Sequence, residues 1–120
     1  MIKLYNGSFS SSSFHRVTIL CSIAELIEII GEPQHYANDG SDKVNVEWDC
    51  ITDDGIIFSI YDWKYFREVD EDEDIEFHIG GRSFIETFNA QVKLLRMIEE
   101  HRTPESKAFN ELKDIYNNED

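Results

Sequence analysis

Three stretches of this sequence carry residue types that could do chemistry. The first, Glu68-Val69-Asp70-Glu71-Asp72-Glu73-Asp74, concentrates six carboxylates in seven residues. Its Asp70-x-Asp72-x-Asp74 opening has the spacing of the first ligands of a calcium loop. Position 6, however, is Ile75 where a glycine must turn, and position 12 is Gly81 where a bidentate Glu belongs. Read instead as a polyanion mimic, an extended run repeats same-face carboxylates every ~6.6 Å, twice the strand rise. That is close to twice the ~3.4 Å rise per strand of DNA. With Glu47, Asp49, Asp53 and Asp54 it would build an acidic ridge. The alternative is a solvated, flexible loop over 68–74.

The second stretch is Gly80-Gly81-Arg82-Ser83, read as the turn between a strand and a helix. Two glycines let a ligand approach the backbone, and a helix N-terminus offers free N–H groups and partial positive charge. Arg82 would clamp a phosphate or other anion, with His78 and Lys64 adding to the site. The Walker-type glycine spacing is missing, and glycines at such turns commonly serve sterics alone. The third stretch is Ile60-Tyr61-Asp62-Trp63-Lys64. Trp and Tyr beside a charge pair can form a recognition patch. The competing expectation puts Trp63 in the core and pairs Asp62 with Lys64 at the rim.

No catalytic residue, metal or cofactor is expected. His15, His35, His78 and His101 lack ligand spacing with one another and with Cys21 and Cys50. Neither G-x-S-x-G nor H-E-x-x-H occurs.

The elements that must position these residues follow from periodicity and punctuation. Residues 1–9 and 14–20 read as strands, separated by a serine-rich loop at 8–13. Ser22 and Glu25 form a capping box that opens a helix with Ile23, Leu26, Ile27 and Ile30 on its apolar face; Gly31 and Pro33 end it. A loop is expected over 34–42. In 43–51, Val44, Val46, Trp48 and Cys50 alternate with a solvated face of Asn45, Glu47 and Asp49. Asp53-Asp54-Gly55 is a hairpin turn into a central strand at 56–63, and 75–79 supplies its partner. Gly80-Gly81 ends that strand. A second capping box, Ser83 with Glu86, opens a long helix to about His101, with Phe84, Phe88, Val92, Leu95 and Ile98 facing the sheet. Thr103-Pro104 starts a last short helix with Ala108, Leu112, Ile115 and Tyr116 inward and Phe109 beside them. The predicted fold is one α+β domain over 1–120: an antiparallel sheet with one helix from the N-terminal half and two C-terminal helices on one face.

Composition limits the partners. The 120 residues are 41% hydrophobic, enough for one core, and carry a formal net charge of −14. Residues 1–24 hold no acid, 82–120 are nearly balanced, and 25–81 carry 17 acids against Lys43, Lys64 and Arg67. Such a field repels nucleic acid and anionic membranes and attracts basic proteins. No apolar run approaches the ~20 residues of a membrane span, and the start lacks a signal-peptide core. Two cysteines in apolar stretches read as core packing, so the cytoplasm is expected.

The segments Gly31-Glu32-Pro33, Asp42-Lys43-Val44 leading to Glu47-Trp48, Asp54-Gly55, Ile60-Tyr61-Asp62-Trp63-Lys64 and His78-Ile79-Gly80-Gly81 resemble a group of small, mostly uncharacterised proteins from phages and large DNA viruses. The resemblance spans about residues 24 to 98. It implies a viral or mobile-element origin, where short accessory proteins act by binding host factors. Phe77 stands where the pattern has Trp, and the acidic stretch before it is longer, which makes that stretch a local elaboration. Two functions are expected: inhibition of a basic, nucleic-acid-binding host protein through the acidic surface, or capture of a small anion or nucleotide at Lys64, His78, Gly80, Gly81 and Arg82.

Overall fold

In the computed structural model, which describes residues 1–7 and 12–103, alternation and caps produce eight elements. They are β1 (Ile2–Leu4), β2 (Ser13–Cys21), α1 (Ile23–Ile29), β3 (His35–Tyr36), β4 (Val46–Thr52), β5 (Ile57–Tyr61), β6 (Ile75–Gly81) and α2 (Phe84–Arg102). All strand pairs are antiparallel. The sheet order is β1-β4-β5-β6-β2, and β3 pairs with β4 on the edge it shares with β1. The predicted α+β class, an antiparallel sheet with helices, holds for this part. The last predicted helix, with Ala108, Phe109, Leu112, Ile115 and Tyr116, lies outside the described residues, as does most of the serine-rich stretch 8–13; Ser13 itself opens β2.

One sheet face is the core. Val46, Trp48 and Cys50 of β4, Phe58 and Ile60 of β5, and Phe77 and Ile79 of β6 are fully buried, with Leu26 of α1 and Leu94 of α2 against them. Each such side chain contributes about 1.5–3 kcal/mol by leaving water. α1 is capped as its sequence dictates: Ser22 Oγ accepts the Glu25 N–H, and Glu25 Oε1 accepts the Ser22 N–H. Gly31, at φ 130°, turns the chain out of the helix, and its carbonyl accepts the buried Trp48 indole N–H at 2.8 Å.

Several expectations are corrected. The first strand is three residues long, and 34–42 contains β3, a two-residue edge pairing. Asn45 is buried, because its side chain bonds inward to Asp62 and to the Arg67 carbonyl. Asp62 makes no rim ion pair with Lys64: it is buried and accepts the Asn45 N–H, the Asn45 Nδ2 amide and the Val46 N–H at 2.7–3.1 Å. Trp63, expected in the core, is on the surface. The acidic loop is pinned: Val69 is buried and pairs both ways with the Asn38 amide, and the Glu71 carbonyl accepts the Ala24 N–H. Gly80 and Gly81 are the last two residues of β6 and pair within it, so the strand runs two residues past Ile79. Ser83 caps α2 by accepting the Glu86 N–H, without the reciprocal half of the box.

The largest correction concerns the face of α2. Thr87, Ala90, Leu94 and Ile98 are the buried positions, whereas Phe84, Phe88, Val92 and Leu95 are exposed. The cause is close approach to the sheet. A Cβ on Gly81 would stand 2.6 Å from Thr87 Cγ2, and Gln91 Nε2 donates to the Thr18 carbonyl at 2.7 Å. A helix this near the strands admits Thr and Ala at the contact, not Phe.

Candidate functional site

Residues opposite each other in an antiparallel ladder share a face. Glu47 opposes Tyr61, Asp49 opposes Ser59, Ser59 opposes Gly80, Tyr61 opposes His78, and Phe14 opposes Gly80. All six side-chain-bearing residues of this set therefore lie on the face away from the core, and among the described residues neither helix covers it. The alternation that fills the core sets this second face at the same time.

An aromatic row crosses it. Phe14 stacks on His78 with ring centroids 3.9 Å apart and planes at 12°, and Trp63 lies beside His78 at 6.2 Å and 28°. Tyr61 meets both Trp63 and His78 edge-on. Trp63 is 39% exposed, and the ammonium groups of Lys43 and Lys64 stand 5.9 and 5.6 Å from its ring centroid. Such cation–π contacts hold cations at an exposed ring. Two of the three bases in the acidic middle of the chain are gathered here. Asp62 fixes the segment that carries them: with Asp62 anchored to β4, the Lys64 N–H reaches the Lys43 carbonyl at 2.8 Å.

Beneath the row is a depression of about 300 Å³ lined by Ser12, Val44, Glu47, Ser59, Tyr61 and Trp63. Gly80 lets two of these lining residues close in over β6, since a Cβ there would come within 2.8 Å of both the Ser12 and Ser59 hydroxyl oxygens. Burial, reinforced by the neighbouring Asp49 carboxylate, pushes the Glu47 carboxyl up to about 7. Asp49 Oδ1 is buried with no hydrogen-bond partner among the described residues. Two ionised carboxylates cannot bond to each other, but a proton on Glu47 lets it donate to Asp49. Burial and the Glu47 charge raise the Tyr61 phenol, and burial lowers His78.

Backbone strain borders the same face. Among the described residues, the non-glycine residues with left-handed φ are Arg16 at 65°, in the bulge of β2 between Phe14 and Thr18, and Lys64 at 60° and Phe66 at 51°, in the segment after Trp63. Each costs on the order of 1–3 kcal/mol, and such strain clusters at functional sites.

The residues expected to act are regrouped. Lys64, His78 and Gly80 meet at this face, joined by Glu47 and Asp49, which were expected in the acidic ridge. Gly81 faces α2, and Arg82 is exposed beyond the strand. Asp53 and Asp54 sit at the β4–β5 turn, ~20 Å along the strand from Glu47, bound to the N-terminal amine and to Lys93. Asp70, Glu71, Asp72, Glu73 and Asp74 lie at the start of α1, where Glu71 accepts the Tyr36 hydroxyl, Glu73 pairs with Arg67 and Asp74 with Arg102. They form no single ridge with the other acids. Phe14, Ser12, Lys43, Val44 and Ser59 were missed as site residues; only strand register, which pairs Ser59 with Asp49, reveals the last of them.

A larger hollow, about 500 Å³, lies between Met1, Asp53, Lys93, Arg96, Met97 and Glu100. Lys93 there is engaged by Asp54 and the N-terminal amine by Asp53, and no ring lines it, so the sheet face is the stronger site. Among the described residues no cluster of His, Cys, Asp and Glu could hold a metal ion, and no helix is long and apolar enough to cross a membrane. No protein-family model matches the chain, and neither does any curated protein or solved structure.

Proposed function

We propose that this protein binds a small nucleotide-like ligand, a flat ring with an anionic group, on the open face of its sheet. The observation that carries this reading is Trp63: an exposed indole with two lysine ammonium groups at its ring, at the rim of a polar-floored depression. The ring of the ligand stacks on the aromatic row, and its anion meets Lys43 and Lys64. The depression is at the small end of the ~300–1,000 Å³ range of ligand pockets. In a chain of net charge −14, this local pair of cations gives an anion a place to bind. If the chain comes from a phage or large DNA virus, as its segments resemble, its role is to sequester such a ligand within the host cell. The acidic-ridge reading has less support, because its residues stand apart and several are already paired with cations.

Calorimetric titration of the full chain with nucleoside monophosphates tests this. Saturable binding is expected, and Trp63→Ala should weaken it about 5- to 150-fold, the equivalent of ~1–3 kcal/mol per stacked base. Lys43→Glu with Lys64→Glu should abolish it, while Asp70→Lys, Asp72→Lys and Asp74→Lys together should leave it in place. Binding undiminished by loss of Trp63, or no binding by any nucleotide, would overturn the proposal.

A further inference from the structure

The two edges of the sheet are unlike. One is made by β1 and β3, three and two residues long, whereas the other is β2, with nine residues. Among the described residues no strand pairs with β2 on its outer side. An edge of that length offers a row of backbone N–H and C=O groups to another strand. The bulge at Arg16 bends its first half and leaves 17–21 as the straight part. α2 adds an apolar wall along the same edge. Its Gln91 reaches the Thr18 carbonyl of β2, while Lys93 reaches Asp54 at the β4–β5 turn. At 3.6 residues per turn, Phe84, Phe88 and Leu95 fall on the Gln91 flank, away from Lys93, and so project past β2. They are 41–56% exposed, and the rings of Phe84 and Phe88 stack on each other.

We propose that this edge pairs with the β2 edge of a second copy of the chain, giving a twofold dimer with one continuous sheet. An axis normal to the sheet runs β2 antiparallel to its copy. It also sets both α2 helices on the same side, apolar flank against apolar flank. Paired about Ile19, Leu20 of each copy lies opposite Thr18 of the other, which covers a leucine that is 60% exposed. A docked helix would cover the flank and leave the strand edge unpaired; a second copy fills both at once. The ligand face lies on the opposite side of the sheet from α2, so both copies keep it uncovered.

Charge and area point the same way. Residues 1–24 carry Lys3 and Arg16 but no acid, so β2 is an edge at which two chains of net charge −14 can meet without setting carboxylate against carboxylate. Phe84, Phe88, Val92, Leu95 and Leu20 together leave on the order of 500 Å² of apolar surface uncovered, the large end for a monomer. With the strand edge added, this approaches the ~800 Å² that each partner gives to a stable interface.

Sedimentation equilibrium of the full chain tests this. At about 100 μM a mass twice the 14.0 kDa of one chain is expected. The dimer should tighten as salt screens the two net charges. Phe88→Glu, which puts a charge from each copy into the seam, should weaken it at least about 30-fold. Asn89→Glu adds the same charge on another side of the helix and should leave the dimer unchanged. Phe88 and Asn89 are both exposed, so the fold tolerates either change. Hydrogen exchange separates strand pairing from helix contact alone: amides within 17–21 should exchange more slowly above the dissociation constant than below it. A monomer at that concentration overturns the proposal. So does a dimer indifferent to Phe88→Glu, or one whose 17–21 amides exchange alike at both concentrations. A full chain that is monomeric, and that dimerises only with Leu112→Glu and Ile115→Glu, would assign the flank to residues 104–120 of the same chain instead. The nucleotide reading stands apart from all these outcomes.

Discussion

Gly80 faces Ser59 across the ladder of β5 and β6, and a Cβ on Gly80 would stand 2.8 Å from the Ser59 hydroxyl oxygen. Its neighbour Gly81 does the same job on the other face, where a Cβ would stand 2.6 Å from Thr87 Cγ2. Two consecutive glycines thus serve two layers. Gly80 lets Ser12 and Ser59 close in on the face away from the core, and Gly81 lets α2 down onto the sheet.

Gly81→Ala is therefore expected to destabilise the fold by about 1–3 kcal/mol, the usual cost of overpacking. Thr87→Ser removes the Cγ2 methyl and keeps the hydroxyl, which bonds to the carbonyls of Ser83 and Phe84. The double variant should recover most of the loss. Urea unfolding of the four-member cycle measures the coupling. Purely additive losses would show that this contact does not set the height of the helix.

Asp62 should be among the costliest polar side chains to truncate. Asp62→Ala leaves the Asn45 N–H, the Asn45 amide and the Val46 N–H without their acceptor in a buried setting. With each orphaned donor worth ~1–3 kcal/mol, a loss of about 3 kcal/mol or more is expected in urea unfolding. The segment carrying Trp63 and Lys64 is held by the same bonds, so nucleotide affinity should fall even where the variant stays folded. A loss below about 1 kcal/mol would mean that water replaces the carboxylate.

These two sites also mark where sequence reading succeeds and fails. Alternation in β4 gave Trp48 and Cys50 their core positions and Glu47 and Asp49 the opposite face, because period two is a local property. The Ser22–Glu25 box was equally local. The buried face of α2 was not, since it depends on how near Gly81 lets the helix come, a contact between elements. Asp62 read as a rim charge because its partners lie 16 and 17 residues back along the chain. The ligand face was half legible: Lys64, His78 and Gly80 drew attention through their types, but only strand register brings Glu47 and Phe14 to them.

Cys21 and Cys50 are free and fully buried, and burial pushes the Cys21 thiol up to about 12 and Cys50 higher still. The thiolate is the nucleophile, so neither should react with an aromatic disulfide reagent at about pH 8 while the chain is folded. Both should react at once in denaturant, giving two equivalents of released thiolate. Stoichiometric labelling of the native chain faster than its unfolding would contradict the burial of these strands.

The pH dependence of stability should separate Glu47 from the other titrating groups by its sign. Its carboxyl rises from 4.5 to about 7 on folding, so between those values the folded chain binds more protons than the unfolded one. Stability from this group is full below the unfolded value, falls as pH rises toward the folded one, and is level beyond it. His78 acts oppositely in part of the same window: burial lowers it from 6.5, so its contribution is lost as pH falls through that range. Glu25, lowered chiefly by its bonds to Arg102, acts on the acid side, where its contribution disappears below its ordinary value of 4.5. In Glu47→Gln the falling contribution is gone and the His78 contribution remains. The urea midpoint of this variant should hold level or rise from about pH 5 to pH 7, while that of the unsubstituted chain falls relative to it. Parallel curves for the two proteins would show that folding does not raise the Glu47 carboxyl.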